Sequence, residues 1–326
     1  MDVQHILSTY YQIQAKTIDQ ITDRVYRIWD GRNTYAFKKS SLNHENIPMW
    51  HHALMQANKH NLQFIQPVYL TLDQQLTVYD NEHVYYLSPW LEQEGEMEIG
   101  KIYQHLGQLH HKTKRTHTIQ VKKMTDKFIE YKKVCQDRRR MFMTQIEEFE
   151  QKRYMSPFEL QVCTQFHVVE GCLHHLIDLI ERFCKIEDET MPWSQSLCHG
   201  NLTFSHLLTA NDYRFINWEK TTYDHATTDL MHLFQSEINY YDAPVQDLLD
   251  NFSIYLKENK LTQEEICFLL IYLMNPLPYL EQIKDYQQDI HHKPMIHRVQ
   301  RMAYLYRQLE FSFNMYELLE PELNND

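Results

Sequence analysis

One stretch gathers polar side chains in an order that could do chemistry: Cys198-His-Gly-Asn-Leu-Thr-Phe-Ser-His-Leu-Leu208, then Tyr213-Arg-Phe-Ile-Asn-Trp-Glu219, then Asp229-Leu230. Short apolar runs flanking the polar positions read as a β-hairpin that carries loops. An asparagine amide accepts no proton near neutral pH, so Asn201 is not a general base. Magnesium prefers carboxylate and phosphate oxygens, whereas Asn217 offers one neutral carbonyl oxygen and His206 a nitrogen. Glu219 is the acid that closes the second of these runs. Far upstream, Lys38 ends the β-prone run Tyr-Ala-Phe-Lys, where it is either an anion-binding cation or an ordinary surface lysine.

The elements that must hold these residues follow from local pattern. Asp23 to Trp29 and Tyr35 to Lys38 are β-prone and joined by Asp30-Gly31-Arg32-Asn33, a hairpin connection with glycine available for positive φ. Pro48 marks the first turn of a helix capped by Asn46 and running through Trp50, Leu54 and Ala57 towards Asn61. Further strands are expected at Phe64 to Leu72, Gln75 to Tyr79 and His83 to Leu87. After Pro89 the pattern becomes helical. Ile99, Ile102, Tyr103, Leu106 and Leu109 define one amphipathic helix, residues 122–186 hold long ones, and Ile296, Val299, Ala303 and Leu309 mark the last. Thr262 and Glu265 form a capping box ahead of Ile266 to Met274. The domains are therefore expected at 1–88, a small antiparallel sheet with one helix, and 89–326, a helical part that contains the hairpin 198–219. Glu322 to Asp326 read as a disordered tail.

The hairpin resembles the catalytic hairpin of the aminoglycoside phosphotransferase and choline kinase family, His-Gly-Asp-Leu-x-x-x-Asn-(Ile/Leu)-Leu followed by Ile-Asp-(Phe/Trp)-(Asp/Glu) and Asp-Leu. Leu106-Gly-Gln-Leu-His-His111 resembles the helix after the family's hinge, and Tyr85 to Trp90 the hinge itself, with Tyr86 and Ser88 in the nucleotide cleft beside Lys38, the family's phosphate-binding lysine. The resemblance implies an α+β, bilobal protein-kinase-like fold with a small β-rich N-lobe and a large, mainly α-helical C-lobe. It makes His199, Gly200 and Asp229 scaffold positions. It also implies that the base position is Asn201 and the metal positions are His206 and Asn217, each departing from the family's residue. Loss of general-base help typically costs on the order of 100- to 10000-fold in rate. His206 is expected to bond a backbone carbonyl rather than a metal, and Glu219, with Asp212 or Asp224 nearby, is a candidate for a relocated metal ligand. The segment Gln20-Ile-Thr-Asp-Arg24 carries no glycine for phosphates to approach, and the helix after Pro48 has no glutamate for Lys38, the nearest being Glu45.

Low glycine content, a short N-lobe and degenerate loops are most similar to the spore-coat-associated kinase-like proteins of Bacillus and relatives, the CotS group. The expected function is thus a catalytically impaired kinase-like protein that binds other proteins of a spore coat or similar assembly. Two alternatives stay open: an active ATP-dependent phosphotransferase for a small-molecule hydroxyl or amine, with Glu219 on the metal, and a non-catalytic nucleotide or metabolite sensor. No cofactor is expected, any binding of ATP with magnesium being weak.

Composition narrows the classes further. A net charge of −12 without a basic block argues against a nucleic-acid partner. The run Arg138, Arg139, Arg140 reads as a solvated helix face. Six cysteines show no metal spacing and read as free thiols of a reducing cytoplasm. The N-terminus lacks a signal-peptide pattern, and Ile266 to Met274 is too short to span a bilayer, so cytoplasmic synthesis with deposition in a spore coat is the expected location. The pairs His51-His52, His110-His111, His174-His175 and His291-His292 put neighbours on different helix faces, which disfavours chelation within a pair.

Overall fold

The structure is a computed structural model that describes residues 2–80, 83–186, 188–210, 212–288 and 293–324. The chain opens with helix α1 (Val3–Tyr11) and strands β1 (Thr17–Gln20), β2 (Val25–Trp29) and β3 (Thr34–Ser40). Helix α2 (Ile47–Lys59) and strands β4 (Val78–Asp80) and β5 (His83–Pro89) follow. The five strands form an antiparallel sheet in the order β1-β2-β3-β5-β4. Alternation decides its faces. Tyr35, Phe37, Tyr85 and Leu87 point to one side, where they bury Ile6 and Leu7 of α1 and where Phe37 stacks on Tyr85 at 5.3 Å. Lys38 and Tyr86, directly opposed across β3 and β5, point to the other side, and Tyr86 meets Trp50 of α2 at 5.2 Å.

The turn at Asp30 forms as expected. Gly31 takes φ +102°, and the Asp30 carboxylate accepts from the amides of Arg32 and Asn33 at 2.7 and 2.8 Å. The glycine-free segment 21–24 is itself a hairpin turn, because an unforeseen strand, β1, precedes it. Asn46 does not cap α2 with its side chain; that carboxamide oxygen takes the amide of Asn43, and Asn43 in turn accepts from Glu45 and Asn46. The run Phe64 to Leu72 is not a strand of this sheet. Its start joins the hairpin described below through a parallel bridge between Ile65 and Phe215.

Helix α3 (Ile99–Thr113) buries Ile99, Ile102, Tyr103, Leu106 and Leu109, the predicted stripe. Strand β6 (Arg115–Gln120), helices α4 (Val121–Glu150) and α5 (Pro157–Cys184), and strand β7 (Thr190–Cys198) come next. The hairpin is β8 (Leu207–Ala210) against β9 (Asp212–Phe215), followed by the short β10 (Thr222–Asp224). The rest is helical: α6 (Thr227–Glu237), α7 (Val245–Asp250), α8 (Phe252–Glu258), α9 (Gln263–Leu273), α10 (Leu277–Gln288) and α11 (Met295–Asn324). The final helix runs through Pro321 to Asn324 and buries Leu319 and Leu323, so residues 322–324 are helix where a disordered tail was expected. The pair His291-His292 lies outside the described residues.

A small antiparallel sheet with its helices, then a larger helical part, is the expected fold. Compactness divides the chain differently from the expected boundary at residue 88. One unit comprises 1–114 with 196–224, the other 115–195 with 225–326. The hairpin groups with the first because Phe215 packs on Phe64 at 5.3 Å and bonds the backbone of that segment. In the second unit β6 pairs with residues 190–195 of β7, and a long contact of α4, α5 and α11 builds the core around Phe142, Phe158, Val169, Leu176 and Phe311. The stretch Gln263–Gln288 is apolar enough to count as a membrane-span candidate at mean hydropathy 1.3. It is nevertheless interrupted at 274–276, and 61% of its most apolar 18-residue window is buried within the protein.

Candidate functional site

Three backbone features shape the hairpin. Gly200 takes φ +76°, and a Cβ there would lie 2.1 Å from the Lys220 carbonyl oxygen, so only glycine fits. Asn217 is left-handed at φ +64°, a conformation asparagine tolerates better than most residues. Trp218, buried beneath the loop, donates its indole N–H to the Phe215 carbonyl at 2.8 Å, and the Thr221 hydroxyl donates to the Cys198 carbonyl at 2.8 Å. The segment at Phe64 adds a third strand-like edge. The Phe215 amide donates to the Phe64 carbonyl at 2.6 Å and the Gln66 amide to the Phe215 carbonyl at 3.1 Å.

This scaffold brings Lys38, Tyr86, Asn217 and Glu219 together. The Lys38 ammonium bonds the Asn217 carboxamide oxygen and lies 2.8 Å from Glu219 Oε1. The Tyr86 hydroxyl donates to the same oxygen at 3.1 Å, and its ring lies 5.8 Å from the ammonium. Glu219 Oε2 accepts from the Ser41 amide at 2.8 Å and the Ser41 hydroxyl at 2.5 Å. Glu219 is thus a buried carboxylate, 6% exposed, with two donors on each oxygen. Burial pushes its carboxyl up. The charge and hydrogen bond of Lys38 and the hydroxyl and amide of Ser41 outweigh that and hold it below the ordinary carboxylate range. Burial, then the charge of Glu219 and its hydrogen bond, raise Tyr86 well above a normal phenol, so it stays a donor.

The histidines form a separate layer. His199 Nε2 donates to the Ile216 carbonyl at 2.7 Å, and its ring lies 4.8 Å from Trp218 and 5.4 Å from His206. His206 Nδ1 donates to the Asn201 carbonyl at 2.8 Å, as the sequence reading expected. Burial lowers the His206 pKa, the Asn201 carbonyl opposes this, and the charges of Lys38 and Lys220 add to the lowering, so the ring is neutral near pH 7. The side chain of Asn201 makes no hydrogen bond among the described residues. Ser88 lies on the Tyr86 face of β5, opposite Ala36 and 3% exposed, and no bond from its hydroxyl to the Lys38 cluster is present among those residues. Asp229 is fully buried in the first turn of α6, within the second unit.

A magnesium ion does not fit this donor set. The Asn217 oxygen is committed to Lys38, the two Glu219 oxygens are saturated, and the His206 nitrogen that lacks its proton is a softer donor than the ion prefers. Nor does Lys38 present a free ammonium to a phosphate. The expectation that Lys38 has no glutamate partner is corrected here: the partner is Glu219, 181 residues away in the chain, instead of a residue of α2. Ser41, which no motif marked, completes the cluster. It follows the Lys38-Lys39-Ser40 end of β3, and nothing in the local sequence links it to position 219.

The fold and this hairpin define a phosphoryl-transfer scaffold, and the chain belongs to the phosphotransferase enzyme family, whose match covers residues 15–258. Among solved structures it is similar to the aminoglycoside phosphotransferase of Alicyclobacillus acidocaldarius, with 14% identity, TM-score 0.65, and 98% of this chain and 97% of that one covered. It is similar also to the spectinomycin phosphotransferase APH(9)-Ia in its AMP-bound complex, with 14% identity, TM-score 0.55, and coverage of 95% and 97%. A microcompartment-associated aminopropanol kinase aligns at 11% identity, TM-score 0.51, and coverage of 98% of each chain. At such identities the likeness is one of fold. No curated protein matches the sequence.

Proposed function

We propose that this chain is a catalytically impaired phosphotransferase relative that works as a binding or structural protein. One observation carries the reading: Lys38, Asn217 and Glu219 satisfy one another, so the groups that a nucleotide and its metal would need are occupied from within the protein. Asn201 at the base position adds a second deficit, since it cannot take a proton from a hydroxyl. In this reading His199, Gly200 and Asp229 keep the fold intact and Glu219 is a latch, not a relocated metal ligand. The narrower resemblance to spore-coat-associated kinase-like proteins supports a partner among the proteins of such an assembly.

Thermal melting with ATP, with and without magnesium, tests the proposal. The wild type is expected to show no shift, and N201D/N217D is expected to gain a magnesium-dependent one. A magnesium-dependent shift of the wild type, with phosphoryl transfer that E219A abolishes, would establish the enzyme reading instead. A shift that ignores magnesium would make the protein a nucleotide sensor.

A further inference from the structure

The second unit holds a cavity of about 1070 Å³ between the start of α4 and the end of α9. Its floor is apolar and aromatic: Met124, Phe128, Tyr131, Phe268, Ile271 and Tyr272. Phe268 is its centre, 4.8 Å from Tyr272, 6.5 Å edge-on from Phe128 and 5.2 Å edge-on from Trp193. Tyr131 and Asn275 close one side, the phenol donating to the carboxamide oxygen at 2.8 Å. A concave apolar wall of this size with few polar groups is the usual form of a small-ligand site.

The charges at its mouth set the sign of the ligand. Lys123 and Lys127 line the cavity, are exposed, and stand four residues apart on one face of α4. Neither forms an ion pair among the described residues, and the acid beside them, Asp126, leaves a net positive mouth on a protein of net charge −12. The placement is unfavourable for the helix alone. Like charges at i and i+4 repel, and cations near a helix N-terminus oppose its dipole, yet the first turn of α4 contains no acid and no side-chain cap. An anion seated over the mouth relieves both.

We propose that this cavity binds one small amphiphile, an aromatic or alkyl body laid against Phe268 and Tyr272 with a single carboxylate or sulfonate between Lys123 and Lys127. A concave aromatic floor behind a charged mouth suits a free molecule better than a flat membrane surface. The site lies wholly within the second unit, so it stands or falls independently of the latch at Lys38.

Calorimetry with dodecanoate, dodecanol and dodecyltrimethylammonium, and emission of anilinonaphthalene sulfonate, test it on the full chain. Dodecanoate and the sulfonate dye are expected to bind saturably at one site, with the cationic amphiphile at least tenfold weaker. K123E/K127E should weaken dodecanoate at least tenfold and leave dodecanol unchanged, while Y272A, at a half-exposed position, should weaken both. Unchanged dodecanoate affinity in the charge-reversed variant, equal binding of the cation, or association only with anionic vesicles would each overturn the proposal.

Discussion

Glu219 is tolerated as a buried charge because four donors converge on it, and that convergence makes its ionisation a property of the folded state. Its folded pKa lies below the ordinary value of 4.5, so its contribution to stability is complete above that pH and is lost as pH falls through the lower folded value. Removing one partner of a buried ion pair costs about 3–5 kcal/mol. E219Q should accordingly lower the urea midpoint at pH 7, and the gap between wild type and variant should narrow on acidification below about pH 4.5. A gap that stays constant from pH 6 to pH 3 would show that the carboxylate is not the source. Gly200 gives a second residue-level expectation. In G200A the added methyl meets a backbone carbonyl at 2.1 Å in a left-handed conformation, which should destabilise the protein by about 2–3 kcal/mol in urea unfolding.

Among elements, the two capping boxes are the clearest case of local chemistry deciding where a helix starts. Thr262 accepts from the Glu265 amide at 3.2 Å and Glu265 accepts from the Thr262 amide at 2.9 Å. Ser156 and Glu159 do the same for α5, with Lys152 and the Tyr286 hydroxyl also on Glu159. T262A should cost about 1 kcal/mol, the ordinary value of a lost cap. S156A should cost more, because its hydroxyl also meets that of Tyr286 at 2.9 Å, and paired denaturation curves will rank the two. The hairpin β8-β9 has no such independence, since the segment at Phe64 supplies its third edge.

For the molecule as a whole, the chain crosses between its two compact units at 114, 195 and 224. A fragment of residues 1–114 therefore lacks Phe215 against Phe64 and Glu219 against Lys38. It is expected to melt without a cooperative transition by circular dichroism, and joining residues 196–224 to it should restore one. A fragment that melts sharply alone would mean that the antiparallel sheet and α1 suffice.

Much of this was legible in the residues themselves. The stripe of α3, the box at Thr262, the turn at Asp30 and the hairpin from Cys198 to Glu219 are local: each depends on side chains a few positions apart, whose periodicity or hydrogen bonding acts within one element. His206 on a carbonyl was legible for the same reason, its partner being five residues away. What escaped depends on distance along the chain. Nothing near Lys38 announces Glu219 or Ser41's part in holding it, and the run at Phe64 has a strand's composition but finds its partner at Phe215 instead of in the sheet. β6 and most of β7 were hidden in helical surroundings because the strands that pair with β7, β6 and β10, lie far from it in the chain. The sequence by itself carried the family, the fold and the presence of amides, not carboxylates, at positions 201 and 217. Only the tertiary structure decided that the surviving acid is spent on Lys38, because a buried carboxylate must take whichever donors the fold brings to it.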